Sequence, residues 1–281
     1  MIKIVIDTKG SDNGAAVMIK GACEALKEFD NLSVMLVGDK DYIENECKNL
    51  DMPLDRIEIA DAPQEITNYD NPADALYNKT DSSMLVALSE MSKREDLYGL
   101  LCAGNTGILL TGAMRYLSGK NRVRPALAAV LPAQNGSFVC LVDTGATIDC
   151  TPPVLHHFAK LGSDFMRDMY GIENPKIGLL SNGAESSKGN KLVKETHPLL
   201  AEDATLNFVG NIEGNNALSG FVISALTENV PVSSSTCGAA KSTRPLYGYI
   251  VLSANVIVTC GCHERVVSFC PNSTFLSLDL R

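Results

Sequence analysis

Tyr98-Gly99-Leu100-Leu101-Cys102-Ala103-Gly104-Asn105-Thr106-Gly107-Ile108-Leu109-Leu110 is the stretch whose reading decides the fold. The apolar run 98–103 reads as a buried strand, breaks at four small or polar residues, and resumes as a helical pattern over 108–117. A strand, a glycine-bracketed turn and a helix make an anion site. The first helical N–H groups have no intrahelical partner there, the helix dipole adds partial positive charge, and Gly104 and Gly107 let a ligand approach the backbone. Phosphate is the ligand such a corner suits best. The same glycines also serve a plain tight turn in many α/β proteins, so both readings stand at this point.

Working outward, the strand-helix alternation repeats. Residues 2–7 predict a first strand and 15–28 a helix, with Gly10-Ser11-Asp12-Asn13 as the turn. Strands follow over 33–38 and 56–60, and helices over 40–49, 71–78 and 82–93. Such alternation predicts a largely parallel sheet covered on both faces. Gln134-Asn135-Gly136 between apolar runs is a hairpin signal, which makes the sheet mixed. Beyond it come a long helix over 151–169, strands over 176–181 and 206–210, and a helix over 188–200.

The totals limit the class. The chain has 281 residues, 45% hydrophobic and 20% charged, as expected of a globular protein with a large core. A net charge of −9 disfavours nucleic acid as a partner, so an anionic ligand must be met locally. No apolar run reaches membrane-span length and residues 1–7 enter a strand pattern directly, which predicts a cytoplasmic protein. Nine cysteines without framework spacing point to reduced thiols. Residues 1–216 hold 20 Lys+Arg and 30 Asp+Glu, whereas the last 65 hold 4 and 3. We therefore expect one α/β domain over 1–216 and a distinct tail over 217–281, for which short strands are the best reading.

Four polar turns follow strand ends, at 7–12, 104–107, 143–146 and 181–190, where open α/β sheets place their ligand crevice. In the last of these, Lys188 can sit on a phosphate or a developing oxyanion, or be a solvated loop lysine. Ser82 and Ser83 read as a helix N-cap that could also donate to an anion. Arg115, Lys120, Arg122 and Arg124 gather four cations in ten residues, either for an acidic partner or to complement a helix end. Asp7 and Asp143 are candidate acids or bases, and equally caps. His156 and His157 are adjacent and cannot share a helix face, so they read as core-edge or solvated side chains. Cys102 reads as buried filler. Cys260, Cys262, His263 and Cys270 match no standard zinc spacing, and no metal site is expected.

Several blocks taken in order resemble the bacterial phosphate acyltransferase family: Lys79-Thr80-Asp81-Ser82-Ser83-Met84, Ala103 to Gly107, Arg124-Pro125-Ala126-Leu127-Ala128, Asp143-Thr144-Gly145-Ala146, Asn174 to Leu180, Lys188-Gly189-Asn190, and Phe208 to Gly214. The resemblance covers about residues 1–216. It implies a doubly wound α/β/α sandwich like that of phosphotransacetylases and isopropylmalate dehydrogenases. It also implies a homodimer with peripheral membrane contact, and acyl carrier protein and inorganic phosphate as substrates. The reaction implied is attack of phosphate on an acyl thioester, without cofactor or metal. On this resemblance phosphate falls to Gly104, Thr106 and Gly107 with Ser82, Ser83 and Arg124. Oxyanion or leaving-group stabilisation falls to Lys188 with Asn105 and Asn182, while Asp143 and Asn190 line the substrate. Departures occur where the family's Asp-Ala-Met-Gly-Gly-Asp is Asp7-Thr8-Lys9-Gly10-Ser11-Asp12, at Thr147 and Thr151, and at Asn215. Two other readings share the corner: an acetyl-type phosphate acyltransferase or reductase-complex subunit, and a non-catalytic phosphate binder.

Overall fold

The computed structural model describes residues 1–117, 124–143, 147, 149–217 and 219, with the backbone of three short strands at 224–226, 255–257 and 267–268. The chain divides into two units, Met1–Pro125 with Val251–Pro271, and Ala126–Ile250 with Asn272–Arg281. Each unit has its own sheet, and each sheet buries apolar residues of its own.

The first unit holds β1 (Ile2–Asp7), α1 (Ala15–Glu28), β2 (Leu32–Gly38), α2 (Lys40–Asn49), β3 (Ile57–Asp61), α3 (Pro72–Asn78), α4 (Ser83–Lys93), β4 (Leu97–Cys102) and α5 (Thr106–Tyr116). β4, β1, β2 and β3 lie side by side and run parallel. Alternation along the strands explains the two covered faces. Val5, Met35, Val37 and Leu100 pack with Met84, Leu85, Leu88 and Ile108 on one face. Ile6, Val34 and Leu36 pack with Ile19, Leu26 and Ile43 on the other. At the amino ends of the strands, Lys3 bonds Glu58 at 3.1 Å and Asp96 at 3.0 Å, and Arg94 pairs with the same two carboxylates.

The second unit holds β5 (Ala128–Pro132), β6 (Phe138–Val142), α6 (Pro152–Tyr170), β7 (Lys176–Leu180), α7 (Lys191–Glu202), β8 (Asn207–Ile212), α8 (Gly214–Ala217) and β9 (Ser224–Leu226). β5 and β6 form the hairpin that Asn135-Gly136 announces: Gly136 has φ 82, and the Asn135 side-chain Oδ1 accepts the Ser137 N–H at 3.0 Å. The order is β5-β6-β9-β7-β8, with β6, β9, β7 and β8 parallel. β9 joins this sheet, and β10 (Asn255–Ile257) with β11 (Val267–Ser268) extend the first one antiparallel to β4.

Candidate functional site

In the first unit the chain crosses from β1 to β2 and β3 on one side, then returns to place β4 on the other side of β1. The switch point of this sheet therefore lies at the carboxyl ends of β1 and β4, where a crevice opens because the following connections diverge. Both loops that the sequence singles out start there. The Asp7 loop and the Gly104–Gly107 corner touch directly, since a Cβ at Gly10 would meet the Gly104 Cα at 3.2 Å. Gly10 also has φ +76, which an L side chain resists. Gly10→Ala is thus expected to destabilise the fold by about 1–2 kcal/mol, read as a lowered urea midpoint, because backbone rather than a flexible side chain must give way.

Beneath the corner lies a buried polar cluster. Asp7 is 1% exposed, and its Oδ2 accepts the Cys102 thiol at 3.1 Å while its Oδ1 accepts the Lys9 N–H at 3.1 Å. The Ser83 hydroxyl donates to the same carboxylate. Burial pushes the Asp7 carboxyl up to about 6, against these three donors, and the nearby Glu65 charge pushes the same way. Burial and the Asp7 charge together raise the Cys102 thiol well above its usual range. Cys102 is therefore more than filler: its sulfur also accepts the Gly104 N–H at 3.4 Å.

The Gly104 N–H points to a sulfur two residues back, and the first turn of α5 begins just beyond it at Thr106. Asn105 is the N-cap of α5, its Oδ1 accepting the Ile108 N–H at 3.0 Å and its Nδ2 reaching the Thr67 carbonyl at 3.4 Å. Ser82 and Ser83 are both buried at the start of α4. Ser82 occupies the N-cap position without a side-chain cap bond, and its Oγ has no hydrogen-bond partner among the described residues. Arg124 is exposed just before Pro125. Arg115 serves the α3–α5 packing, donating to the Leu76 carbonyl at 2.9 Å with its guanidinium 5.1 Å from the Tyr77 ring centre. Lys120 and Arg122 lie outside the described residues.

In the second unit β7 stands between β8 and β9, so its carboxyl end is again a switch point and the 181–190 loop begins there. The loop is a closed structure. The Asn182 Oδ1 accepts the Gly189 N–H at 2.9 Å, and the Glu185 carbonyl accepts both the Lys188 N–H at 3.0 Å and the Asn211 Nδ2 at 2.8 Å. A Cβ at Gly183 would lie 2.9 Å from Lys188 Cγ, so the glycine makes room for the lysine stem. Lys188 itself is exposed. Asn190 caps α7, accepting the Val193 N–H at 2.9 Å. Asp143 follows β6 at φ 66 and turns its Oδ1 to the Thr147 N–H at 3.1 Å; residues 144–146 lie outside the described ones.

Asn211, at the end of β8, is the residue that sequence reasoning left without a role. It is 5% exposed, ties the Lys188 loop to the sheet, and keeps its Oδ1 unpartnered among the described residues. Its only sequence signal is its place in the Phe208–Gly214 block. His156 pairs with Asp203 at 2.7 Å, a carboxylate that Lys160 shares at 2.9 Å. No His, Cys, Asp and Glu grouping among the described residues suits a metal, and Cys260, Cys262, His263 and Cys270 lie outside them. No helix among the described residues is long and apolar enough to cross a membrane.

The sequence model of a family described as fatty acid synthesis protein matches residues 2–237. The chain belongs to that family. Membership extends past residue 216 and takes in β9, beyond the point where the resemblance was expected to end. A phosphate acyltransferase of Clostridium novyi is 37% identical over 220 residues, 78% of this chain and 65% of that protein. One from Clostridium botulinum is 39% identical over 213 residues, 75% of this chain and 63% of that protein. The chain thus spans just under two thirds of these curated relatives. Among solved structures, the EutD phosphotransacetylase of Staphylococcus aureus aligns with a TM-score of 0.56 at 14% identity, covering 80% of this chain and 76% of that one. A phosphotransacetylase of Streptococcus pyogenes aligns equally, with a TM-score of 0.56 at 15% identity, covering 80% of this chain and 76% of that one. The α/β fold of this family member is therefore of the phosphotransacetylase type.

Proposed function

We propose that the protein transfers an acyl group from a thioester of acyl carrier protein to inorganic phosphate. A phosphate oxygen attacks the thioester carbon, a tetrahedral oxyanion forms, the C–S bond breaks, and the products are acyl phosphate and the carrier thiol. Phosphate is itself the nucleophile and thiolate is a good leaving group. The protein needs only to hold two anionic reactants and stabilise the oxyanion.

The observation that carries this reading is an anion corner at the switch point of a sheet, in a family whose relatives bear the name phosphate acyltransferase. In the proposal, phosphate takes the Thr106 and Gly107 N–H groups at the start of α5, with the Arg124 guanidinium and the orphaned Ser82 hydroxyl. Lys188, on its braced loop in the second unit, is the cation we assign to the developing oxyanion, with Asn182, whose Oδ1 accepts the Gly189 N–H, on the same loop. Asn105 and Asn190 hold their helix starts, and Asp143 holds its turn.

The test is thiol release from long-chain acyl carrier protein with and without phosphate. We expect phosphate-dependent release; release from acetyl thioesters alone favours the short-chain reading, and phosphate binding without release a non-catalytic one. Homodimer formation and peripheral membrane contact belong to the same proposal, as does cytoplasmic location. Sedimentation and flotation with vesicles of anionic lipid check the first two.

A further inference from the structure

We propose that Asp7 is the positioning residue of the anion corner: its carboxylate orients the Cys102 thiol, whose sulfur in turn holds the Gly104 N–H and fixes how the 104–107 turn faces phosphate. The inference rests on the proposed phosphate site and adds a residue that touches no reactant. Each link is short and buried. The thiol reaches Asp7 at 3.1 Å, the Gly104 N–H reaches the sulfur at 3.4 Å, and Asp7 and Cys102 are 1% and 0% exposed.

A thiol is a weak donor and a weak acceptor, so a neutral partner would orient it poorly. An ionised one orients it well, because a charge-assisted bond in a low dielectric is strong and polarises the next link of the chain. The same carboxylate accepts the Ser83 hydroxyl, next in sequence to the unpartnered Ser82 Oγ, so both helix starts that frame the corner are referred to one group.

Packing alone does not require a carboxylate here. An amide of the same shape could accept the Lys9 N–H and a hydroxyl without the cost of burying charge, and a costly buried charge kept beside a ligand site points to function. The charged and titratable neighbours are few: Cys102 from β4, Glu65 from the segment before α3, and Lys9 of its own loop, whose Nζ bonds the Pro63 carbonyl at 2.8 Å. A proton on the Asp7 Oδ2 makes that one oxygen a donor while Oδ1 stays an acceptor, which reverses the Cys102 link and loosens the corner. Burial places that event at about pH 6.

The experiment is calorimetric titration of the full chain with inorganic phosphate between about pH 5 and 8. The ratio of wild-type to Asp7→Asn affinity is the quantity to follow, because the ionisation of phosphate cancels in it. We expect wild type to bind about tenfold tighter at pH 7.5 and the ratio to approach one near pH 5. Should Asp7→Asn fail to fold by circular dichroism, the Cys102 variants decide. Cys102→Ala weakens binding about tenfold, and Cys102→Ser, whose hydroxyl can donate and accept in the same places, stays within about threefold of wild type. Equal affinities, or a loss that does not vary with pH, overturn the positioning role while leaving the proposed function intact. Wild type that binds no phosphate at any pH overturns both.

Discussion

Lys188→Ala is expected to lower the rate of phosphate-dependent thiol release about 10²–10³-fold, with KM for phosphate little changed. The size follows from the proposed task. A fixed positive charge at a developing oxyanion acts only in the transition state, so its loss falls on kcat. The fold should not notice, because the side chain is exposed and the loop is braced by other groups, the Asn182 and Asn211 amides. Surface substitutions of that kind stay within about 0.5 kcal/mol. Lys188→Arg is a useful companion: it retains charge but changes its shape and reach, and partial recovery is the expected result. Unaltered turnover by Lys188→Ala excludes the lysine from the chemistry, and a lowered urea midpoint would reassign it to the scaffold.

Stability should fall as pH rises between about 4 and 6, by about 3 kcal/mol, and Asp7→Asn should remove that part of the profile. In the folded protein the Asp7 carboxyl titrates at about 6, against 3.8 in its ordinary state. The native state then binds a proton over a pH range in which the unfolded chain has released it. Stability from this group is complete below the lower value and gone above the upper one. Glu58, Asp70, Asp96 and Asp203 act in the opposite sense, because cationic or hydrogen-bonding partners hold their carboxyls below the usual range; their contribution is lost as pH falls. Urea unfolding at several pH values therefore gives a domed curve, and the difference between wild type and Asp7→Asn isolates the buried group. A difference that stays level across this range would show that Asp7 is not buried as a charge. The same charge that weakens the fold at neutral pH is the one assigned to orient the corner, a familiar conflict between stability and function.

What the sequence alone determined is the local order. Alternating apolar runs and helical patterns place β1, α1 and α2 at the expected residues, because period and capping chemistry are properties of a few neighbouring residues. Asn135-Gly136 fixes its hairpin for the same reason, through a positive φ that neighbours cannot supply. The glycine corner too was legible, as a strand, a turn and a helix in immediate succession.

Only the tertiary structure decided how that corner is wired. Cys102 looked like filler because no side chain nearby in sequence offers it a partner; the carboxylate that binds it lies 95 residues away, brought alongside by the pairing of β1 with β4. The same fold places the Cys102 sulfur under the Gly104 N–H. Asn211 carried no signal beyond its place in the Phe208–Gly214 block, since its partner is the carbonyl of Glu185 on a loop after another strand. The division into two units at Pro125 rests on long-range pairing likewise, because the apolar pattern of a strand is the same whichever sheet it joins. Pattern reports which face of an element is buried, and the long-range pairing of strands determines what it is buried against.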